Sequence, residues 1–521
     1  MTMKKFFAQV TALVVAVVML VACGDAQKQG NYTNIIPTDA TFLFQADLYE
    51  VAEQGGIIEL AAPYRSQLAE MASAEGGQFM KDIAMDFNNT GIATDEPVYG
   101  YMNFISEENI EIGAVAKVSD RAKLDKTAAY LEENIGLISV KQKDGNTIIT
   151  FDEEEVPFII GFNDCALVAY AHGKNNETVT STSEVVALLD KAYVERATPF
   201  TPSASDVNVA IDYKALAEAM NLEAIMAQVP EMQEPGVQDA MNYLLNCTAN
   251  VDFNIEDGGA SLKLTMSNPS AEAKEMISSF YTKVDNAYID YVTADALAAV
   301  NININDTMKA QALTALDAYV EQNSYYLSFE EKAGIELVKE CITAIAGDVT
   351  LSLEDINIYS GMPKAKAVAS TNSPSIKGLL TMAALAVDGL SVAGDDTKTI
   401  VAFGTTTSQV APSATSSTWY NDLKDKVGYG VLNIKALMSK PEVRSELREE
   451  LEWEMEPEMV EAVMAICDLA DYVAIYSDVK DGGAECSVSV ELKLKERDTN
   501  LLKQIVNIVK PVIAEAAAGM L

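Results

Sequence analysis

A single histidine, His172, stands among 521 residues, in Ala171-His172-Gly173-Lys174 just after a predicted strand. One histidine excludes a two-histidine zinc motif and any histidine-rich metal cluster. A Ser-His-Asp or Cys-His arrangement would have to run through His172 itself. Its polar, glycine-containing setting predicts a solvated loop side chain instead. No G-x-S-x-G elbow and no G-x4-G-K-[ST] phosphate loop occurs. Ser477 and Lys480 spell S-x-x-K, but at a strand end beside a turn rather than at a helix start, so the match reads as chance.

Acidic residues number 77, so paired carboxylates say little by themselves. Asp152-Glu153-Glu154-Glu155 is expected to be a solvated loop, because the two carboxylates of a glycosidase usually come from separated segments. Asp86, Asn88, Thr90 and Gly91 imitate the opening of a calcium loop, yet Pro97 stands where the bidentate glutamate belongs, with Glu96 beside it. A turn before a strand at Val98 is the expectation there. Trp419, at the edge of a Ser/Thr-rich loop, is a candidate to stack on a sugar; Trp453 reads as packing beside a helix stripe. No catalytic, metal-binding or cofactor-binding residue is therefore assigned. The leading expectation is a non-catalytic structural or binding module, and the alternative is a carboxylate-dependent hydrolase of glycan or peptide, whose chemistry leaves no short signature.

One modification site is assigned, at the amino terminus. Lys4 and Lys5 precede an apolar run from 12 to 22, the pattern of a secretory signal. The run is too short to span a bilayer, which needs about 20 apolar residues. It ends in Leu20-Val21-Ala22-Cys23, which resembles the lipobox read by lipoprotein signal peptidases. The expectation is a signal peptide over 1–22, lipid on Cys23, and a lipidated tether over 23–34. Multiple acyl chains give stable anchoring where one is marginal. Gly24 follows the cysteine, so the aspartate associated with inner-membrane retention is absent, which favours the outer membrane, on its periplasmic or surface face.

Charge narrows the partners. The chain carries 37 Lys plus Arg against 77 Asp plus Glu, a net −40. Such a surface repels phosphate backbones and anionic headgroups, so nucleic acid is not an expected partner. The expected partners are the membrane, through lipid on Cys23, and a protein or glycan. Beyond Cys23, five scattered cysteines make no disulfide framework; Cys467 and Cys486 are the nearest pair.

These residues need elements to hold them, and short apolar strands alternate with amphipathic helices, an α+β pattern. Ser439 with Glu442, and Ser181 with Glu184, have capping-box spacing. Pro457 starts a helix whose Met459, Val463, Ile466 and Ala470 share a face, and Leu124, Ala128, Leu131 and Ile135 mark another stripe.

The order of elements repeats. Ala210-Ile211-Asp212-Tyr213-Lys214-Ala215-Leu216 resembles Val431-Leu432-Asn433-Ile434-Lys435-Ala436-Leu437, each a strand running into a helix, and Asp257-Gly258-Gly259-Ala260 matches Asp481-Gly482-Gly483-Ala484 as a turn between strands. The spacings, 45 residues from Asp212 to Asp257 and 48 from Asn433 to Asp481, nearly agree. Weaker copies of the opening strand lie at 44–48 and 300–304. The expectation is an internal duplication: a first half of antiparallel hairpins and amphipathic helices over 35–285, with a strand-rich insert at about 137–171, and a similar second half over 286–521.

The I-P-T-D-A-T run at 36–41, close behind the lipobox and leading into a strand that ends at Asp47, resembles an uncharacterised family of Bacteroidetes lipoproteins with a domain of unknown function. Thr90-Gly91-Ile92 and Pro97-Val98-Tyr99 add to the likeness. The resemblance implies a Gram-negative envelope protein and brings no activity or catalytic residue with it.

Overall fold

The structure, a computed structural model, describes residues 30–135, 138–151, 157–175, 177–222, 235–357, 361–385 and 387–519. The expected signal peptide, Cys23 and the acidic run at 152–155 lie outside the described residues. The fold is mixed α+β. Contacts divide the chain into unit 1, Met1–Ile255 with Leu502–Val506, and unit 2, Glu256–Leu501 with Asn507–Leu521.

In unit 1, β1 (Phe42–Ala46) leads through α1 (Leu48–Gln54), α2 (Ile57–Ala61) and α3 (Arg65–Met85) to the hairpin β2 (Val98–Ser106) and β3 (Asn109–Lys117). Then come α4 (Arg121–Ile135), β4 (Ile138–Lys143), β5 (Asn146–Phe151), β6 (Phe158–Phe162), β7 (Ala166–Lys174) and the short β8 (Glu177–Thr178). The unit closes with α5 (Thr182–Lys191), β9 (Val207–Asp212), α6 (Tyr213–Ala219), α7 (Pro235–Leu244) and β10 (Thr248–Glu256). The strands form one antiparallel sheet in the order β10-β9-β1-β2-β3-β7-β6-β5-β4, with β8 paired to the end of β7.

In unit 2, β11 (Gly259–Ser267) and α8 (Ala271–Phe280) precede β12 (Ala298–Ile304), which leads through α9 (Asp306–Gln322) and α10 (Phe329–Ala344) to the hairpin β13 (Ile345–Asn357) and β14 (Met362–Thr371). There follow α11 (Pro374–Ala384), β15 (Leu390–Gly394), β16 (Lys398–Phe403), α12 (Thr418–Leu423), β17 (Gly428–Leu432), α13 (Ile434–Met438), α14 (Pro441–Glu454) and α15 (Pro457–Leu469). β18 (Ala470–Lys480) and β19 (Glu485–Leu494) end the sheet, and α16 (Leu501–Gly519) ends the described chain. The antiparallel order is β11-β19-β18-β17-β12-β13-β14-β16-β15.

One local device recurs at four strand-to-helix junctions. Asp47, Asp212, Asn305 and Asn433 end or follow β1, β9, β12 and β17, and the side chain of each accepts the backbone N–H three residues on, at 3.0 Å in every case. A short oxygen-bearing side chain satisfies one of the four N–H groups a helix leaves without a partner, so Asp or Asn is favoured at each position.

Helix starts follow the sequence in part. Ser181 and Glu184 form the expected reciprocal box at α5. The box at Ser439 does not form: Ser439 Oγ donates to Ala436 O at 2.6 Å and closes α13. Pro441 then sets N1 of α14 behind Lys440, which makes no side-chain cap. Proline's fixed φ and missing N–H move the start beyond the serine. α15 begins at Pro457 as expected, but Val460, Ala462 and Met464 are its buried positions and Met459 is 46 % exposed, so the stripe that includes Val460 and Met464 is turned by one residue from the expected one.

Candidate functional site

Unit 1 closes both faces of its sheet. Tyr99, Tyr101, Val115, Val168 and Tyr170 point to one side, where α5 and the segment around Ile35 cover them. On the other side Ala46, Val98, Ile149, Phe162 and Leu167 form a core with Leu124 and Ala128 of α4, and Leu131 packs against it. The cross-strand row Val251, Val209, Phe44, Gly100, Ala114, Ala169, Ile160, Ile149 and Val140 runs over all nine strands of this second face. All nine are apolar and none is exposed.

Unit 2 closes one face. Ala299, Val431, Tyr429, Tyr472 and Ala474 pack with Val284, Ile289, Val292, Trp419 and Leu423. The same face holds Lys366 and Glu354, whose side chains are 1 % and 8 % exposed and 3.1 Å apart. Lys366 Nζ donates to Tyr291 O at 2.9 Å and Ser408 O at 3.3 Å, and Thr405 Oγ1 donates to Glu354 Oε2 at 2.7 Å. The segments that cross the sheet supply these bonds and are clamped to it, while Glu354 Oε1 has the ion pair with Lys366 and no hydrogen bond.

The opposite face of unit 2 is the candidate site. In register across its nine strands stand Leu262, Val490, Ile475, Gly430, Val300, Leu351, Ala367, Val401 and Val392. Leu262 (46 %), Val490 (39 %), Ile475 (51 %), Val300 (37 %) and Leu351 (42 %) are exposed. The row beside it, from Ala260 and Leu492 through Val473, Leu432, Ala298, Leu353 and Ala365 to Phe403 and Leu390, is apolar throughout. In the row on the other side, Leu264 and Val488 are again exposed, and Ser477 and Thr399 are its polar members. Contiguous exposed apolar area of this kind marks interaction or ligand surfaces. α11 covers part of the far end, packing on β15 and β16 with Ile376 buried. Sequence reasoning missed this surface. Alternation in β11, β12, β13 and β19 sets an apolar face against a polar one, and the apolar face reads as the covered side, the reverse of what is found.

The residues first considered for chemistry are spread over both units. His172 lies within β7, not in a loop, and its side chain is 14 % exposed, so it is not the solvated group expected. Its Nδ1 is 2.8 Å from Glu184 Oε1 and its Nε2 2.7 Å from Asn109 Oδ1. Glu184 Oε2 accepts from Ser181 N at 2.7 Å and Ser181 Oγ at 2.8 Å. Burial would raise the Glu184 carboxyl, but the hydrogen bonds from His172 and Ser181 outweigh it and hold the group below the ordinary carboxylate range. The chain Asn109-His172-Glu184-Ser181 ties β3, β7 and the start of α5 together. Ser181 Oγ is bonded to the carboxylate rather than to the ring, so the order is not that of a nucleophile activated by histidine.

Asp86 spends its carboxylate on Asn88 N at 3.0 Å, and Thr90 Oγ1 donates to Phe87 O at 2.8 Å, while Glu96 is paired with Lys117. These groups are committed to a turn and do not converge. Trp419 is 2 % exposed and cannot stack on a sugar, whereas Trp453 is 90 % exposed and does not pack: the two tryptophans have exchanged their expected roles. No disulfide joins Cys467 and Cys486. Among the described carboxylates Glu50 is raised, by burial and by the charges of Asp47 and Asp206, but it is exposed and lines neither of the cavities described below.

The 36–41 run does line a cavity. Ile36, Pro37, Thr38 and Ala40 of the 36–41 run and Thr198, Pro199, Phe200 and Thr201 line one cavity of about 410 Å³ in unit 1. Arg196 at its rim donates to Thr33 O at 3.0 Å, and Phe200 meets Tyr99 edge-on at 5.0 Å. A second cavity, about 700 Å³, lies between α10 and α11 in unit 2, where Lys339 is paired with Asp317 and Glu336. Among the described residues no helix is long and apolar enough to cross a membrane, and no group of three or more His, Cys, Asp or Glu could hold a metal ion.

A family model described as "Domain of unknown function (DUF4836)" matches residues 32–385. Among curated proteins no sequence matches the chain. Two crystal structures of TP0453 are similar to parts of it: form III at 9 % identity and TM-score 0.24, covering 49 % of this chain and 87 % of that one, and form I at 10 % and 0.25, covering 46 % and 80 %. Likeness at those scores carries no argument about fold or function.

Proposed function

The chain belongs to the DUF4836 family, and for this member of it we propose a non-catalytic binding module, tethered in the bacterial cell envelope by lipid on Cys23. The observation that carries the binding role is the exposed apolar face of the unit 2 sheet. A chain with net charge −40 keeps three adjacent rows of that face free of ionisable side chains. Leu20-Val21-Ala22-Cys23 supports the address, and Gly24 favours the outer membrane.

We further propose that the two units descend from one duplicated ancestor. The run β1, helices, β2-β3, α4, β6-β7, α5, β9, helices, β10 has a counterpart, element for element, in β12, helices, β13-β14, α11, β15-β16, α12, β17, helices, β18. The sheet orders agree on that mapping, with β4 and β5 as the extra hairpin of unit 1. The four Asx caps fall at equivalent junctions.

Intact mass of the chain extracted from its native membrane tests the address. A chain beginning at Cys23 and carrying acyl groups is expected; an unmodified or differently cut chain would overturn the tether. Protease shaving of intact cells, with a periplasmic protein as control, then reports the face: loss of signal places the units outside, and protection until lysis places them in the periplasm.

A further inference from the structure

We propose that the unit 1 cavity between the 36–41 run and residues 198–201 binds a small organic monoanion, a carboxylate on an apolar body, with Arg196 as its anion-binding residue. This site is separate from the open face of unit 2, and neither reading depends on the other.

The charge of Arg196 carries the inference. The chain has six arginines, and Arg121, Arg444, Arg448 and Arg497 are each paired with at least one carboxylate. Arg196 has no carboxylate partner among the described residues, although acids outnumber bases by 77 to 37. Its Nη1 donates to Thr33 O at 3.0 Å, and its guanidinium stands 6.0 Å from the centre of the Phe200 ring. Burial pushes its pKa down, and no neighbouring carboxylate opposes that shift. Nε and Nη2 have no protein acceptor, and a guanidinium with free N–H donors matches a carboxylate in both charge and planar geometry.

The same surroundings limit the ligand to one negative charge. Asp212 also lines the cavity, with one carboxylate oxygen accepting Ala215 N at 3.0 Å. One cation facing one fixed anion, in a chain of net charge −40, disfavours a phosphate dianion.

The cavity is held open in advance. Its floor is the cross-strand row Leu43, Ala210 and Asn250 of β1, β9 and β10. The two wall segments are joined at one end, where Asn31 N donates to Ala192 O at 2.9 Å and Asn34 Nδ2 to Val194 O at 2.8 Å. Further along, Ser203 is fixed to β1: Gln45 Nε2 donates to Ser203 O at 2.8 Å and Ser203 N to Gln45 Oε1 at 2.9 Å. Ser205 Oγ donates to Asp252 Oδ1 at 2.9 Å and ties the same segment to β10. A site whose walls are already pinned loses little freedom when a ligand enters.

The walls select the body of the ligand. Ile36, Pro37, Pro199, Phe200 and Ile211 supply most of the surface around the floor, and the two prolines offer no N–H. A polar body such as a sugar would lose hydration against them. The volume, about 410 Å³, is at the lower end of the range for small-molecule sites, which suits a single ring or a short branched chain.

The test is calorimetric titration of the full mature chain carrying Cys23→Ser, which removes its own acyl groups as competitors. The probe is phenylbutyrate. One saturable site per chain is expected, with a dissociation constant of about 1 mM or tighter. Phenylbutanol, the same body without the charge, should bind at least tenfold more weakly. So should glucuronate, the same charge on a polar body, and phenyl phosphate, which carries a second charge. Arg196→Gln should weaken phenylbutyrate binding at least tenfold with circular dichroism unchanged, and Ile475→Asp, in the open face of unit 2, should leave it as it is. The proposal is overturned by the absence of a saturable site, by any of the three control compounds binding as tightly as phenylbutyrate, by undiminished binding to Arg196→Gln, or by loss of binding in Ile475→Asp. If Arg196→Gln fails to fold, the ranking of the four compounds on the chain with Arg196 intact decides.

Discussion

Ile149 in unit 1 and Ile475 in unit 2 are the same side chain on the same kind of strand, each inside an apolar row that crosses nine strands, yet Ile149 is 6 % exposed and Ile475 51 %. The two rows do not differ in pattern; their covers differ. α4 lays Leu124 and Ala128 into a core with Ile149 and Phe162. α11, at the equivalent place in the order, packs on β15 and β16 and leaves β11 to β13 and β17 to β19 open. Burial of one sheet face is thus decided by the helix laid over it, and an apolar strand is equally ready for a helix or for a ligand.

Substitutions can break this comparison. Phe162→Ala, at a position with no exposure in the closed face, should cost about 3–5 kcal/mol of unfolding free energy in a denaturant titration, while Ile475→Ala in the open face should cost below about 1 kcal/mol, because little burial is lost. Equal losses would mean that the open face is covered in solution. Lys366→Met sharpens the contrast within unit 2. By leaving Glu354 buried without its partner it should cost about 3–5 kcal/mol, locating that unit's stability on the face crossed by the segments around Tyr291 and Ser408.

Smaller effects separate the junctions. Ser181→Ala removes a working capping box and should cost about 1 kcal/mol, whereas Ser439→Ala, at a helix end with no such box, should stay below about 0.5 kcal/mol. The smallest expected effect is acid-dependent. Hydrogen bonds and charge from Lys440 and Lys364 hold Asp355 at about 2, below its ordinary 3.8. A lowered folded-state value means stability that is present above about pH 4 and is lost as pH falls through about 2. With its side chain one-third exposed, the gain should be under about 1 kcal/mol. The melting temperatures of the unsubstituted chain and Asp355→Asn should therefore differ at pH 5 and converge by pH 2.

Much of the scaffold was legible before any coordinates. The likeness of 210–216 to 431–437 announced the strand-to-helix junctions at Asp212 and Asn433, though not the cap that each side chain makes there, and the spacing of Ser181 and Glu184 announced a capping box. Pro441 defeated the Ser439 spacing because a proline at N1 outranks a serine two residues earlier. Trp419 and Trp453 were misread because a Ser/Thr-rich loop can fold back over a sheet and a helix can end in solvent; neither outcome is encoded in neighbouring residues. The open face was illegible for a related reason: β12, β13 and β19 alternate Val300, Leu351 and Val490 against Asn301, Thr350 and Ser489, and alternation predicts that the apolar side is the covered one, whereas here the polar side is buried. His172 escaped because its partners Asn109 and Glu184 lie 63 and 12 residues away and meet it only through the β3–β7 pairing.

The most direct test of the contrast between the two sheets is carbene footprinting of the ligand-free chain with photoleucine, read by mass spectrometry at residue level. Labelling of Leu262, Ile475 and Val490 several-fold above Phe44, Ile149 and Ile160 is the predicted result. Equal, low labelling of both sets would contradict it, because the unit 2 face would then be as closed as that of unit 1.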